Sequence, residues 1–171
     1  MQKVEKMGMC ALYQTAAFDG RLPDAVEEAF GILQTDGENV YLDKMWDGLH
    51  FLLTGRSLCD ENAVFQGEDY FLHIALAGDE VWEDAGEYAA VIRADKMPDI
   101  LNALENVDFA AALEARPFSL FAEHEIYPEI WDDEDEEGEE LAEELADLFD
   151  HLKKLYRRAT EQGLHVIVGI G

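Results

Sequence analysis

Two hydrophobic rhythms run along this chain, and each predicts its own kind of element. The helical rhythm is clearest in "DKMWDGLHFLLTG", residues 43–55, where Trp46, Leu49, His50 and Leu53 fall at i, i+3, i+4 and i+7 on one face. Met45, Phe51 and Leu52 widen that arc, Asp43 is suited to cap the helix start, and Gly55 to stop it. The rhythm returns at 139–162, with Leu141, Leu145, Leu148, Leu152, Leu155 and Ala159 as the stripe and Gly163 as the stop. Acids crowd the start of this segment, and Lys153, Lys154, Arg157 and Arg158 crowd its second half, a polarity that complements the helix macrodipole. Shorter helices are predicted at 23–34 after Pro23, from Asp95 through 105, and from Asp108 through 115, ended by Pro117.

The second rhythm is the short continuous apolar run of a buried strand. "GMCALYQTA" at 8–16, "YFLHIALAG" at 70–78, "YAAVIR" at 88–93 and "LHVIVGI" at 164–170 all have it. "EIYPEIW", 125–131, is extended around Pro128. Strands separated by helices of uneven length predict an α+β or α/β fold: one domain over 7–171, a mixed β-sheet flanked by helices, and a long C-terminal helix followed by a final strand. Residues 1–6 read as an N-terminal extension.

Composition adds a constraint. Half the chain is hydrophobic (49%), enough to build a core, so the net charge of −27 predicts an acidic skin on a folded domain rather than disorder. That charge excludes direct binding of nucleic acid and of anionic membranes, and leaves solubility or a basic protein partner. No apolar segment is long enough to span a bilayer, and no signal peptide opens the chain. Cys10 and Cys59 lie far apart without metal or redox spacing, which fits reduced thiols in a cytoplasmic protein.

The acidity peaks at 132–144. "DEDEEGEELAEE", from Asp133, nearly fits a calcium loop, with acids at positions one, three and five, Gly138 at six and Glu144 at twelve. Glu137 stands where Asp or Asn is wanted, Glu140 occupies the normally apolar position eight, and Pro128 breaks any incoming helix. Calcium is therefore disfavoured. A helix foot explains a few of the acids through the macrodipole, but not ten of them without a base. The remaining reading is a partner surface formed by Asp132, Asp133, Glu134, Asp135, Glu136, Glu137, Glu139 and Glu140, with Trp131 either an aromatic anchor or a core residue.

Candidate chemistry is sparse. The five histidines never pair at metal-ligating spacing, and no nucleophile elbow or phosphate loop occurs, so no metal and no cofactor is implied. His73 and His165 sit in apolar runs and read as satisfied core or edge residues. His50 shares a helix face with Asp47 and is the weak catalytic candidate, since a carboxylate could set its tautomer for acid–base work. The competing reading is a buried His50 bonded to backbone.

Three segments together, "GMCALYQ", "DKMWDGLHFLLTG" and "EIYPEIW" followed by "LKKLYRRATEQGLHVIVGI", resemble the YfbM-like family of small bacterial proteins, a domain of unknown function. The middle segment carries the most, through Asp43, Lys44, Trp46, Leu49, His50, Leu53, Thr54 and Gly55. The resemblance implies an α/β or α+β domain with a mixed sheet, and no catalytic residues. Many relatives carry a "GYGPARY"-like stretch where this chain reads "DAGEYAAVIRAD".

Three functions follow as expectations. The first is an acidic cytoplasmic inhibitor or immunity protein that neutralises a basic toxin, for example a nuclease, by charge-complementary binding. The second is a small enzyme using His50, which requires that residue to open onto a pocket. The third is an activity shared by the family, with the exposed face of the 43–55 helix lining a cleft.

Overall fold

The computed structural model describes residues 10–16, 39–60, 62–84, 87–128, 130–131 and 136–171. Five strands, β1 (Ala11–Ala16), β2 (Asn39–Asp43), β3 (Glu80–Asp84), β4 (Glu87–Ile92) and β5 (His165–Ile170), form one sheet in the order β2-β1-β5-β4-β3. Every pairing is antiparallel, where a mixed sheet was expected, so of the two layer classes open to the sequence the chain takes α+β. The helices are α1 (Trp46–Thr54), α2 (Glu68–Ala77), α3 (Met97–Glu105), α4 (Phe109–Ala115), α5 (Phe118–Glu123) and α6 (Glu136–Gln162).

The run "HVIVGI" sits at the centre of the sheet because it is apolar on both faces. Val166, Val168 and Ile170 join Tyr13, Ala90 and Ile92 under the helices, while Ile167 and Val91, on the opposite face, are buried too. The edges fall to "NVYLD" and "EVWED", strands of only five residues, the second with three acids, and short or charged edges blunt edge-to-edge pairing. Sequence reasoning did not anticipate them, nor α5, which follows Pro117.

Two other expectations are corrected. Asp43 does not cap α1: it ends β2 with φ +51°, and the helix starts at Trp46 behind Met45. Gly55 does stop that helix, in the left-handed conformation with φ +78°. The run 70–78 is not a strand but most of α2. Among its residues only Ile74 is β-branched, while Leu and Ala favour helix, and glycines bracket it at 67 and 78. Gly78 turns the chain into β3 at φ +79°, where any Cβ would collide with Ala90. The expected helix at 23–34 and residues 1–6 lie outside the described residues. The helices from Asp95 and Asp108 form as expected, the first through a 3-10 turn at Ala94–Lys96, the second with the Asp108 side chain accepting from the Ala111 N–H.

The C-terminal end of α2 is plugged by three tyrosines. A helix leaves its last four carbonyls without intrahelical partners, and here that end is buried. The Gly78 N–H takes Ile74 O at 2.8 Å, the Tyr156 hydroxyl takes Ala75 O at 2.6 Å, Tyr13 takes Leu76 O at 2.7 Å, and Tyr88 takes Ala77 O. Each tyrosine comes from a different element, α6, β1 and β4, so the hydroxyls fix α2 against the sheet and the long helix together. Burial pushes the Tyr13 and Tyr156 phenols well above their ordinary pKa and Tyr88 to about 12, so all three remain donors.

Candidate functional site

Helix α1 is almost wholly buried, from Trp46 through Leu53, and it buries two polar side chains, Asp47 and His50. Both reach the loop that follows. The Asp47 carboxylate accepts from the Ser57 hydroxyl at 2.8 Å and from the Leu58 N–H at 2.7 Å. His50 Nδ1 lies 2.7 Å from the Arg56 carbonyl, and its Nε2 lies 2.8 Å from His73 Nδ1, on α2. The expected His50–Asp47 arrangement is therefore not a catalytic dyad: Asp47 pins the loop, and both His50 nitrogens are spent elsewhere. His50 is sealed, with no exposed surface, so it does not open onto a pocket. Nor does the 43–55 helix present a free face to line a cleft.

The direction of this hydrogen-bond chain is fixed. A carbonyl only accepts, so His50 must carry its proton on Nδ1, which leaves Nε2 as an acceptor. His73 must then donate from Nδ1, which leaves its own Nε2 as the lone-pair nitrogen. Burial, then the neighbouring His73, pull the His50 pKa down to about 3 against the lift from the Arg56 carbonyl, and burial lowers His73 as well. Both rings are thus neutral at neutral pH. Phe65 stacks flat on His73, centroids 4.1 Å apart, and stands edge-on to His50 at 5.6 Å.

His73 is only half-buried, and it lines a cleft of about 340 Å³ beside α2, the 58–65 loop, β3 and β4. Phe65, Ile74, Val81 and Tyr88 supply apolar walls, and Asp60 and Asp79 supply carboxylates. Asp79 is held by Tyr70, whose hydroxyl donates at 2.6 Å, and by the Lys96 ammonium. Burial raises the Asp79 pKa, but these two donors outweigh it and the carboxyl ends below its ordinary value. The bond to Asp79 in turn raises both Tyr70 and Lys96. Sequence reasoning missed this cleft because its histidine was assigned to a strand, and because its partners come from distant segments.

Of the acidic surface, residues 132–135 lie outside the described residues. Helix α6 begins at Glu136, so the stretch that nearly fits a calcium loop is wound into helix from its fourth position on, a shape no calcium loop adopts. On α6, Glu139, Glu140, Glu143, Glu144, Asp147 and Asp150 are exposed, opposite the buried Leu145, Phe149 and Leu152. Trp131 is corrected to a core residue: it is buried, packs on Phe118 and Phe121, and donates its indole N–H to Ile126 O at 2.9 Å. Any side chain at Gly48 would collide with its ring. Its neighbour Ile130 faces out instead, 48% exposed.

His165 Nδ1 accepts from the Ala94 N–H at 3.0 Å, so it is satisfied as expected, on the central strand β5 and not at an edge, while His73 proves to be helical. Within the stretch compared with "GYGPARY", Glu87–Ile92 form β4 and the 3-10 turn opens at Ala94. No described helix is long and apolar enough to cross a membrane.

A five-stranded antiparallel sheet covered by helices, with a cleft at the second helix, defines a small α+β domain protein. The chain belongs to the family described as Domain of unknown function (DUF1877), which matches residues 7–169. It is 31% identical over 132 residues to Protein YfbM of Escherichia coli (strain K12), over 75% of each chain. Its fold is similar to that in the crystal structure of YfbM from Escherichia coli, a protein of unknown function, with a TM-score of 0.77 over 95% of this chain and 99% of that one, at 23% identity.

Proposed function

We propose that this protein is a cytoplasmic binding domain that captures a basic protein partner, in the manner of an inhibitor or immunity protein covering a basic toxin such as a nuclease. The observation that carries this reading is the outer face of α6: six exposed acids between 139 and 150 with no base among them, on a chain of net charge −27. A field of one sign steers an oppositely charged partner, speeds encounter and rejects acidic competitors. Trp131 takes no part in the contact. Ile130, exposed near the start of the acidic run, is the apolar side chain available to it. The thiols of Cys10 and Cys59 fit a reducing compartment.

The test is a capture experiment from lysate of the source bacterium, at low and at high salt. The two baits are the wild-type chain and a variant with Glu140, Glu143, Glu144 and Asp147 all changed to Lys. All four residues are exposed, so the variant keeps its core. The expected outcome is one basic protein held by the wild type at low salt, weakened by salt, and lost with the reversed face. The captured protein, once purified, should lose its activity when the wild-type chain is added. Identical capture by both baits would remove the α6 face from the proposal, and capture of no basic protein would end it.

A further inference from the structure

We propose that the cleft beside His73 is a binding site for a small protonated amine on an apolar, arylalkyl body, with His73 Nε2 accepting one of the ammonium hydrogens. This inference does not rest on the α6 reading.

The shape comes first. A cleft of about 340 Å³ is the size that takes a small organic molecule. Its walls remain partly apolar and uncovered: Val81, which lines it, is 45% exposed. Val81 is one of the four large hydrophobic side chains exposed among the described residues. Phe65 and Tyr88 offer aromatic surface for the body of a ligand.

The polar groups select the charge. The chain from the Arg56 carbonyl through His50 forces His73 to present a lone pair from Nε2, and nothing among the described residues bonds that nitrogen. Burial keeps the ring neutral, so a cation beside it meets no competing charge. The charged groups among the described lining residues are Asp60 and Asp79, with no Lys or Arg. Both Asp79 oxygens already take donors from Tyr70 and Lys96. Asp60 is less committed: it takes the Asn62 N–H at 3.0 Å and Arg56 only at 3.5 Å. A ligand carboxylate or phosphate would face two acids and a lone pair, whereas an ammonium can donate to the lone pair and meets only acids among the charged lining residues. The field of a strongly acidic protein concentrates cations in such a recess.

The probes are 2-phenylethylamine and its anionic counterpart phenylacetate, titrated into the isotopically labelled full chain. Two NMR spectra are read: backbone amide correlations and long-range correlations of the imidazole nitrogens. The amine should give saturable shifts confined to residues lining the cleft, and His73 Nε2 should report as the unprotonated nitrogen and shift on binding. Phenylacetate should give none. His73→Phe should weaken the amine at least tenfold. That substitution leaves His50 Nε2 without its donor, so Asp60→Asn, in the half-exposed loop, serves as the variant that keeps the fold, and it should weaken the amine severalfold. Any of three results overturns the proposal: no saturable shift with the amine, equal binding of phenylacetate, or a proton found on His73 Nε2.

Discussion

Burying an imidazole without charge is tolerable only when both nitrogens find partners, and His50 meets that condition with one carbonyl and one second histidine. The consequence appears in the pH dependence of stability. The folded-state pKa of His50, about 3, lies below its ordinary value of 6.5, so the unfolded chain takes up a proton that the folded chain refuses. Stability from neutral His50 is complete above the unfolded value and is lost as pH falls toward the folded one. Within that window the loss approaches about 1.4 kcal/mol per pH unit, or roughly 2 kcal/mol between about pH 7 and about pH 5. Acidification also relieves the repulsion of the acidic skin, which works the other way. The difference between wild type and His50→Gln isolates the histidine. The variant should be less stable near pH 7 by about 1–3 kcal/mol, because glutamine does not reproduce the relay, and urea denaturation should show that gap shrinking by about 2 kcal/mol near pH 5. A gap independent of pH would mean that His50 does not stay neutral in the fold. At this scale the sequence was half legible. Helical periodicity put His50 and Asp47 on α1 and raised backbone bonding as the competing reading for His50, but no local pattern points to His73, which lies 23 residues further on.

Helix α2 shows how far elements can be read from local pattern. Its apolar run was assigned to a strand because buried strands and buried helices share the same continuous hydrophobicity. What decides is its surroundings: Tyr13, Tyr88 and Tyr156 supply hydroxyls to a helix end that would otherwise bury carbonyls unpaired. Those three positions are scattered through the chain, so the pattern around 70–78 carries no trace of them. The elements that were legible carry their own boundaries. Gly55 and Gly163 stop α1 and α6 at positive φ, and Asp108 caps α4 with its own side chain. The edge strands β2 and β3 were missed because each is only five residues long, and β3 carries three acids. Removing one hydroxyl tests the account of α2. Tyr13→Phe and Tyr156→Phe each leave one buried carbonyl unpaired with almost no change of volume, so each should cost about 1–3 kcal/mol in chemical denaturation. Tyr41→Phe, at a tyrosine 55% exposed, should stay within about 0.5 kcal/mol. Equal, small effects at all three sites would show that the carbonyls of α2 do not need these donors.

Across the whole molecule the dominant fact is 39 acids against 12 bases. Ion pairs offset little of this: Arg157–Glu105 and Lys154–Asp150 are both exposed, and such pairs contribute little. Self-repulsion therefore opposes the compact state, and salt should relieve it. The melting temperature is expected to rise by several degrees between low and high sodium chloride, since about 1 kcal/mol moves the midpoint of a domain this size by roughly 2–4 °C. Replacing Glu140, Glu143, Glu144 and Asp147 by Lys adds two charges at each site, taking the net from −27 to about −19. That variant should melt higher than wild type at low salt and respond less to added salt. Salt then has opposite signs on the two properties of the acidic face: it stabilises the fold and weakens the capture of a basic partner. If reversal raises stability while abolishing capture, the acids are held at a cost to the fold and their use lies in binding. If the reversed chain is instead less stable at low salt, the acids stabilise α6 locally, and the face needs no partner to account for it.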